Sequence, residues 1–556
     1  MIRKIVIVIP LMYLVIGFAK YDIVIRNGEI YDGTGNSPIK ADLAINGDQI
    51  IKIAQNIKGV GRQEIDAKGL AVAPGFINML SWATTSLIAD GRSLSDIKQG
   101  VTLEVFGEGW SMGPLNDTMK ENEKKSMGEF KYDIDWTTLG EYLASLERKG
   151  ISTNVASFVG ATTLRIHEIG FEDRPPTEAE LENMRSLVRQ AMEEGALGIG
   201  SSLIYAPAFY SSTEELIELC KVAAEYDGMY ISHMRSESNR FLEALDELIT
   251  IADKAKIPAE VYHLKAGGKP NHYKMDLAIA KINEARERGL EISTDMYLYV
   301  AGATGLNAHM PPWVQEGGYE KWVERLKNTE IRAKVKQEMI SDTDEWENLG
   351  FLAGPEDVLF SGFKNPDLRQ YIGKTLKEVA DELGKHYADV AIDFVIQDGS
   401  RVDVVYFLMS EENIKKQIQL PYISFGSDAG SLAPEGDFLK NNPHPRAYGN
   451  FARLLGKYVR DEKVITLENA IHKLTGLSAD KLKVKYRGYL RKGYYADVVI
   501  FDPETIQDHA TFAKPHQLAS GVHHVFVNGE QVLKDGEHTG ATPGRVVRGP
   551  GYKKKN

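Results

Sequence analysis

Two histidines stand one structural repeat apart in this chain. His233 ends the stretch MYISHMR (229–235), and His263 falls near the end of AEVYHLK (259–265). Imidazoles at the ends of neighbouring strands are close enough to share a metal ion, so this pair is the first candidate for chemistry. Asp428, in YISFGSDAG, ends a further apolar stretch, where it can either ligate or take a proton from an activated water. Lys265 lies two residues past His263, on the same side of the strand, and a cation there can hold a carbonyl or a carboxylate. Tyr297 and Tyr299 follow Asp295 in STDMYLY and can donate to an oxyanion. Arg446, in HPRAYGNFAR, carries the planar fork that suits a carboxylate. A lone histidine is usually a core or surface residue. Two at strand ends, with an aspartate at a third, favour a hydrolytic metal site.

Composition limits what else such a site can contain. The chain has 556 residues and a single cysteine, Cys220, so disulfide scaffolds and cysteine-cluster zinc sites are excluded. All 13 histidines lie at or after His167, so imidazole ligands come from the later part of the chain. Lys and Arg total 66 against 78 Asp and Glu, a net charge of −12 that argues against a general nucleic-acid binder. Hydrophobic content of 43% with 51 glycines fits a globular, turn-rich protein, long enough for two to four domains.

The elements that must position these residues follow from periodicity. LGIGSSL, MYISHMR, AEVYHLK and LEISTDMYLY start at 197, 229, 259 and 290, about one strand–helix unit apart each time. The intervening segments read as helices around 213–227, 238–256 and 276–287; Ser212 and Glu215 form a capping-box pattern before the first, and Gly228 stops it. Earlier strand candidates are 69–80, 100–107 and 152–160, and a late one is 422–428. Eight such strands favour an α/β fold of the (β/α)8 type over an open doubly wound sheet. Residues 71–480 would form this barrel, with an insertion at about 305–365 that is rich in Trp, Glu and Lys. Residues 20–70 and 481–556 both read as short strands with Asn-Gly turns, so a small β-sandwich is expected from the two chain ends. Residues 1–19 read as a cleaved secretory signal: Arg3 and Lys4, an apolar run too short to span a bilayer comfortably, then Gly17-Phe18-Ala19. Export to a bacterial periplasm or medium, with no membrane span after cleavage, is the expectation.

HMRSES (233–238), YHLKAGG (262–268), FGSDAG (425–430), HPRAYGNFAR (444–453) and RGYLRKGYYADVVIFDP (487–503) together resemble the N-acyl-D-amino-acid deacylase (D-aminoacylase) family of the amidohydrolase superfamily. ATFAKPHQLASGVHHVFVNG (510–529) matches the tail expected of it, and the resemblance covers nearly all of the mature chain. It implies a metal-dependent hydrolase barrel with a terminal β-sandwich and a lid-like insertion. It further implies that His233 and His263 bind zinc, that Asp428 activates water, and that Tyr205, Lys265, Tyr297 and Arg446 contact the substrate. The chain also departs from the family. Where the family shows Asp and then His-x-His after Pro-Gly-Phe-Ile, PGFINMLSW places Asn78, Leu80 and Trp82, so a second histidine-bound metal is not expected. Where it shows a cysteine on strand two, FGEGWSMGP offers only Glu108, a carboxylate that can replace a thiolate on zinc.

The expected activity is hydrolysis of the amide of an N-acyl amino acid at one divalent ion, most simply zinc, held by Glu108, His233 and His263. The expected partner is a small-molecule substrate. The competing readings are a cyclic-amide or dipeptide hydrolase on the same barrel, and a non-catalytic binding protein motivated by the apolar Leu80 and Trp82.

Overall fold

The computed structural model describes residues 20–554. The leader assigned to residues 1–19 lies outside them, and among the described residues no helix is long and apolar enough to cross a membrane.

Eight parallel strands carry the centre of the molecule: β1 (Phe76–Asn78), β2 (Val101–Phe106), β3 (Asn154–Ser157, continued by Val159–Gly160), β4 (Gly198–Ser202), β5 (Met229–His233), β6 (Ala259–Val261), β7 (Ile292–Met296) and β8 (Ile423–Phe425). They are the eight stretches read from the sequence. β1 pairs β2, with a register shift between Phe76 and Ile77, β2 pairs β3, and β3 through β8 pair in turn. The ring closes between β8 and β1, where Met79 N–H donates to Phe425 O at 3.1 Å and Asp428 N–H to Leu80 O at 2.8 Å. Every residue of β2, β4 and β5 is buried, as strands covered on both faces must be. Ile77, Leu103, Val105, Phe158 and Ile231 share one buried cluster, while a larger one joins Val155, Ile199 and Tyr230 to the helices outside.

Those helices begin where their caps dictate. The helix Thr213–Glu225 starts at Ser212, whose hydroxyl accepts from Glu215 N–H at 3.1 Å. The Glu215 carboxylate instead accepts from buried Arg165 at 2.7 Å, so only half of the capping box forms. The next two helices, Phe241–Ala255 and Lys274–Glu287, carry the chain back to β6 and β7.

The chain ends meet in one nine-stranded sheet, joined where Ala71–Pro74 pairs antiparallel with Val498–Phe501. Between β7 and β8, Gly302–Gly305, Val358–Gly362 and Asp403–Tyr406 form a separate antiparallel sheet over a core that includes Leu306, Trp322, Phe360 and Phe394. This unit runs further along the chain than the 305–365 expected. Its helices Leu376–Leu383 and Tyr387–Asp398 have the same apolar periodicity as barrel helices.

The turn after β2 shows how the backbone aims a side chain. Gly107 (φ 110°) and Gly109 (φ 72°) flank Glu108 in left-handed conformations. A Cβ on Gly109 would lie 2.6 Å from Ser202 Cβ and 2.9 Å from its backbone nitrogen, at the end of β4. Gly109→Ala should therefore cost more than ~1 kcal/mol, read as a lower thermal midpoint in the presence of a chelator. An unchanged midpoint would show that the turn does not need glycine.

Candidate metal centre

The strand ends place Glu108, His233 and His263 around one point. Glu108 Oε1 lies 2.9 Å from His233 Nδ1 and 2.8 Å from His263 Nε2. All three residues are buried, and one ligand atom from each lies within 4.8 Å of the others. Two imidazole nitrogens converging on one carboxylate oxygen form a donor set suited to a divalent ion such as zinc. The outer nitrogens fit that reading as well. His233 Nε2 is 3.3 Å from Glu237 Oε2 without a hydrogen bond, and His263 Nδ1 is 3.0 Å from Glu237 Oε1, so one carboxylate lies behind both rings.

His263 sits just past β6 with φ 33°, a conformation uncommon for a residue with a side chain. Its backbone N–H donates to Asp295 Oδ1 at 2.7 Å and that of Leu264 to Asp295 O at 2.9 Å, which holds the loop against β7. Lys265 follows, its ammonium 2.7 Å from His263 Nδ1 and donating to both Glu237 oxygens at 2.7 and 2.8 Å. Burial would raise the Glu237 carboxyl, but the charges of His233, Lys265 and His263 hold it well below the usual range. Glu108 behaves alike: burial opposes ionisation, and His263 and His233 overcome it. Burial would lower the Lys265 ammonium, but Glu237 keeps it above its ordinary value.

Asp428 stands on the other side, also left-handed at φ 49°. Its Oδ2 is 2.8 Å from Arg446 NH1, and its Oδ1 accepts from Trp82 Nε1 at 3.1 Å. Burial lifts its carboxyl above the ordinary 3.8, with Arg446 pulling it back in part. Arg446 opens the helix Arg446–Arg453 and stacks 4.3 Å from the Tyr297 ring centroid. Its backbone N–H donates to His444 Nδ1 at 3.0 Å, and His444 Nε2 in turn donates to Ala301 O at 2.9 Å. Tyr205 packs its ring edge 5.4 Å from His233, while its hydroxyl donates to Thr304 Oγ1 at 2.8 Å. Of the residues singled out in the sequence, Glu108, His233, His263, Lys265, Tyr297, Asp428 and Arg446 thus form one connected cluster. Tyr205 touches it through its ring and spends its hydroxyl elsewhere. Tyr299 lies outside, against Arg453 and Asp508.

Glu237, Trp82, Glu347 and Asp295 also belong to the cluster. Glu237 was in view within HMRSES, four residues after His233, but only the fold turns it back onto both imidazoles. Trp82, read from sequence as an apolar wall, donates its indole N–H to Glu108 Oε2 at 2.8 Å as well as to Asp428. Glu347, from the inserted unit, accepts from Ser236 Oγ at 2.7 Å and from Glu237 N–H at 3.0 Å; burial pushes its carboxyl up to about 7. Asn78 serves the scaffold, donating to Asp96 and Ser427 at 3.0 and 2.8 Å, and Asp295 holds His263.

Known proteins place the chain in a family. A model described as the amidohydrolase family matches residues 423–533. The chain is 32% identical to the D-aminoacylase of Alcaligenes xylosoxydans xylosoxydans over 95% of its own length and 97% of the relative's. A D-aminoacylase solved to define its binuclear metal centre, described as one-metal activation and second-metal attenuation, superposes with TM-score 0.78 at 31% identity, covering 95% of this chain and 100% of that one. The N-acyl-D-glutamate deacylase of Bordetella bronchiseptica, complexed with zinc and a phosphonate that mimics the tetrahedral intermediate, gives TM-score 0.78 at 28% identity over the same shares. With its barrel, its terminal β domain and this extent of identity, the chain belongs to the D-aminoacylase family of metal-dependent amidohydrolases.

Proposed function

We propose that this protein hydrolyses the amide of an N-acyl amino acid, of the D series, to a carboxylate and a free amino acid at a single divalent ion. The observation that carries the substrate class is Arg446. Its side chain is buried, yet Nε and NH1 have no hydrogen-bond partner among the described residues, NH1 meeting Asp428 Oδ2 off the line of a hydrogen bond. Buried donors are normally satisfied, and a guanidinium fork is matched by a carboxylate. The D series and the acyl-amide bond are supported by the names of the similar proteins, and zinc by the complexed N-acyl-D-glutamate deacylase.

Glu108, His233 and His263 would hold a divalent ion, which would supply Lewis acidity toward the amide carbonyl and a water. Asp428 takes the proton from the attacking water and returns it to the leaving amine. Its raised carboxyl makes it a stronger base than a surface aspartate. Arg446 grips the substrate carboxylate, stiffened by the Tyr297 ring beneath it and by His444 at its backbone. Lys265, clamped by Glu237, keeps a second positive charge beside the imidazoles.

Turnover of N-acyl-D-amino acids well above their L isomers, hydantoins and dipeptides is the expected result of a substrate panel; preference for a hydantoin would favour the cyclic-amide reading. Asp428→Asn should lower kcat by ~100-fold or more while one equivalent of metal stays bound. In the wild type, activity should fall on the acid side at a pH above 3.8, because the base must be ionised and burial raises it. Arg446→Met should raise KM by ~10-fold or more through loss of charge-assisted hydrogen bonds. The assignment fails if KM for the acyl amino acid is unchanged.

A further inference from the structure

We propose that Trp82 is a positioning residue for this reaction, its indole N–H tying the Glu108 and Asp428 carboxylates together and fixing which oxygen each presents. The inference rests on the metal-site reading above and adds to it a residue that the sequence marks only as an apolar departure.

One N–H reaches both acids. Trp82 Nε1 is 2.8 Å from Glu108 Oε2 and 3.1 Å from Asp428 Oδ1. In each carboxylate the other oxygen is turned to a different partner: Glu108 Oε1 faces the two imidazoles, and Asp428 Oδ2 faces Arg446. An acid with both oxygens free can rotate and ligate through either or both. With Oε2 held on the indole, Glu108 presents a single oxygen to the imidazole side. The same N–H lies between two anionic groups that otherwise repel, so it stabilises their approach without adding a charge.

The backbone places the indole there by the barrel closure itself. Ser81 N–H donates to Val105 O on β2, the strand that leads to Glu108, and Trp82 N–H donates to Ala429 O, next to Asp428. Residue 82 is thus stitched to both strands whose carboxylates it bridges. The side chain is 36% exposed, so it is not a core residue held for its volume. What a change to another aromatic ring removes first is the N–H. Positioning hydrogen bonds of this kind usually contribute ~10–100-fold in metal affinity or activity.

The test compares wild type with Trp82→Phe and with benzothienylalanine incorporated at position 82, an isostere in which sulfur replaces the N–H. Three quantities are read: zinc affinity by chelator competition, the thermal midpoint of the chelated protein, and kcat and KM on the preferred N-acyl amino acid. Zinc affinity should fall ~10–100-fold and kcat should fall at least tenfold in both variants, with KM changed less than threefold and the chelated midpoint preserved. Should Trp82→Phe lower that midpoint, the isostere decides, since it keeps shape and deletes only the donor. Wild-type zinc affinity and kcat in the isostere would overturn the role of Trp82 while leaving the metal site intact. A wild-type protein that binds no zinc and deacylates nothing would overturn the metal-site reading itself.

Discussion

The chemistry of this barrel depends on holding three carboxylates and two cationic side chains around a pair of imidazoles, nearly out of water. Each ion buried in this way carries a desolvation cost of several kcal/mol, offset only where opposite charges and hydrogen bonds meet it at close range. The arrangement alternates accordingly. Glu108 faces one nitrogen of each imidazole, Glu237 faces the other, and Lys265 sits on Glu237. Asp428 is set against Arg446. No member is placed by its own strand alone. Each is fixed by a partner from another strand end or from the helix Arg446–Arg453, which is why the closed ring is needed before the site exists.

Two members also sit in backbone conformations that side chains resist. His263 and Asp428 both have positive φ, a strain of order 1–3 kcal/mol per residue that persists only where the surroundings over-determine it. For His263 the surroundings are Asp295, which accepts from its N–H, and the β7 backbone, which accepts from Leu264. For Asp428 they are Leu80 O and the β1–β8 seam. The inserted unit adds a brace from outside, since Glu347 ties Ser236 and the Glu237 backbone to a helix-rich layer that the barrel itself does not contain.

How much of this was legible in the sequence varies with the distance along the chain over which each contact forms. The eight strands were, because alternation of apolar strand and amphipathic helix is a local signal. His233 and His263 were, because their spacing equals one repeat. Glu108 was reached only through the family's pattern, since a glutamate between glycines says nothing about what it faces. Glu237 lay in plain view but carried no assignment, because a residue four after a strand end can turn in any direction until the loop is built. Trp82 was read by its ring, whereas the structure uses its nitrogen. Glu347 could not be found at all: its partners are 110 and 111 residues away, in another unit. The extent of the insertion was underestimated for a related reason, its later helices having the same period as those of the barrel.

The count of charges suits the single ion proposed above. Glu108, Glu237 and Asp428 face Lys265 and Arg446, so once both imidazoles are neutral, as metal ligands are, the cluster is left one negative charge in excess. Asp295 beside it is pushed well above the ordinary range, chiefly by burial. One divalent ion turns that excess into a single positive charge, and the carboxylate of an acyl amino acid brings the filled site to neutrality. A second divalent ion would leave a closed, substrate-filled pocket with two uncompensated positive charges, which a low-dielectric site disfavours. The residues agree with the charges. Leu80, fully buried, and Trp82 stand where the resembled family shows His-x-His, and the indole contributes a neutral N–H between two acids. A D-aminoacylase with a binuclear centre is described as attenuated by its second metal. Here the position offers that metal no imidazole.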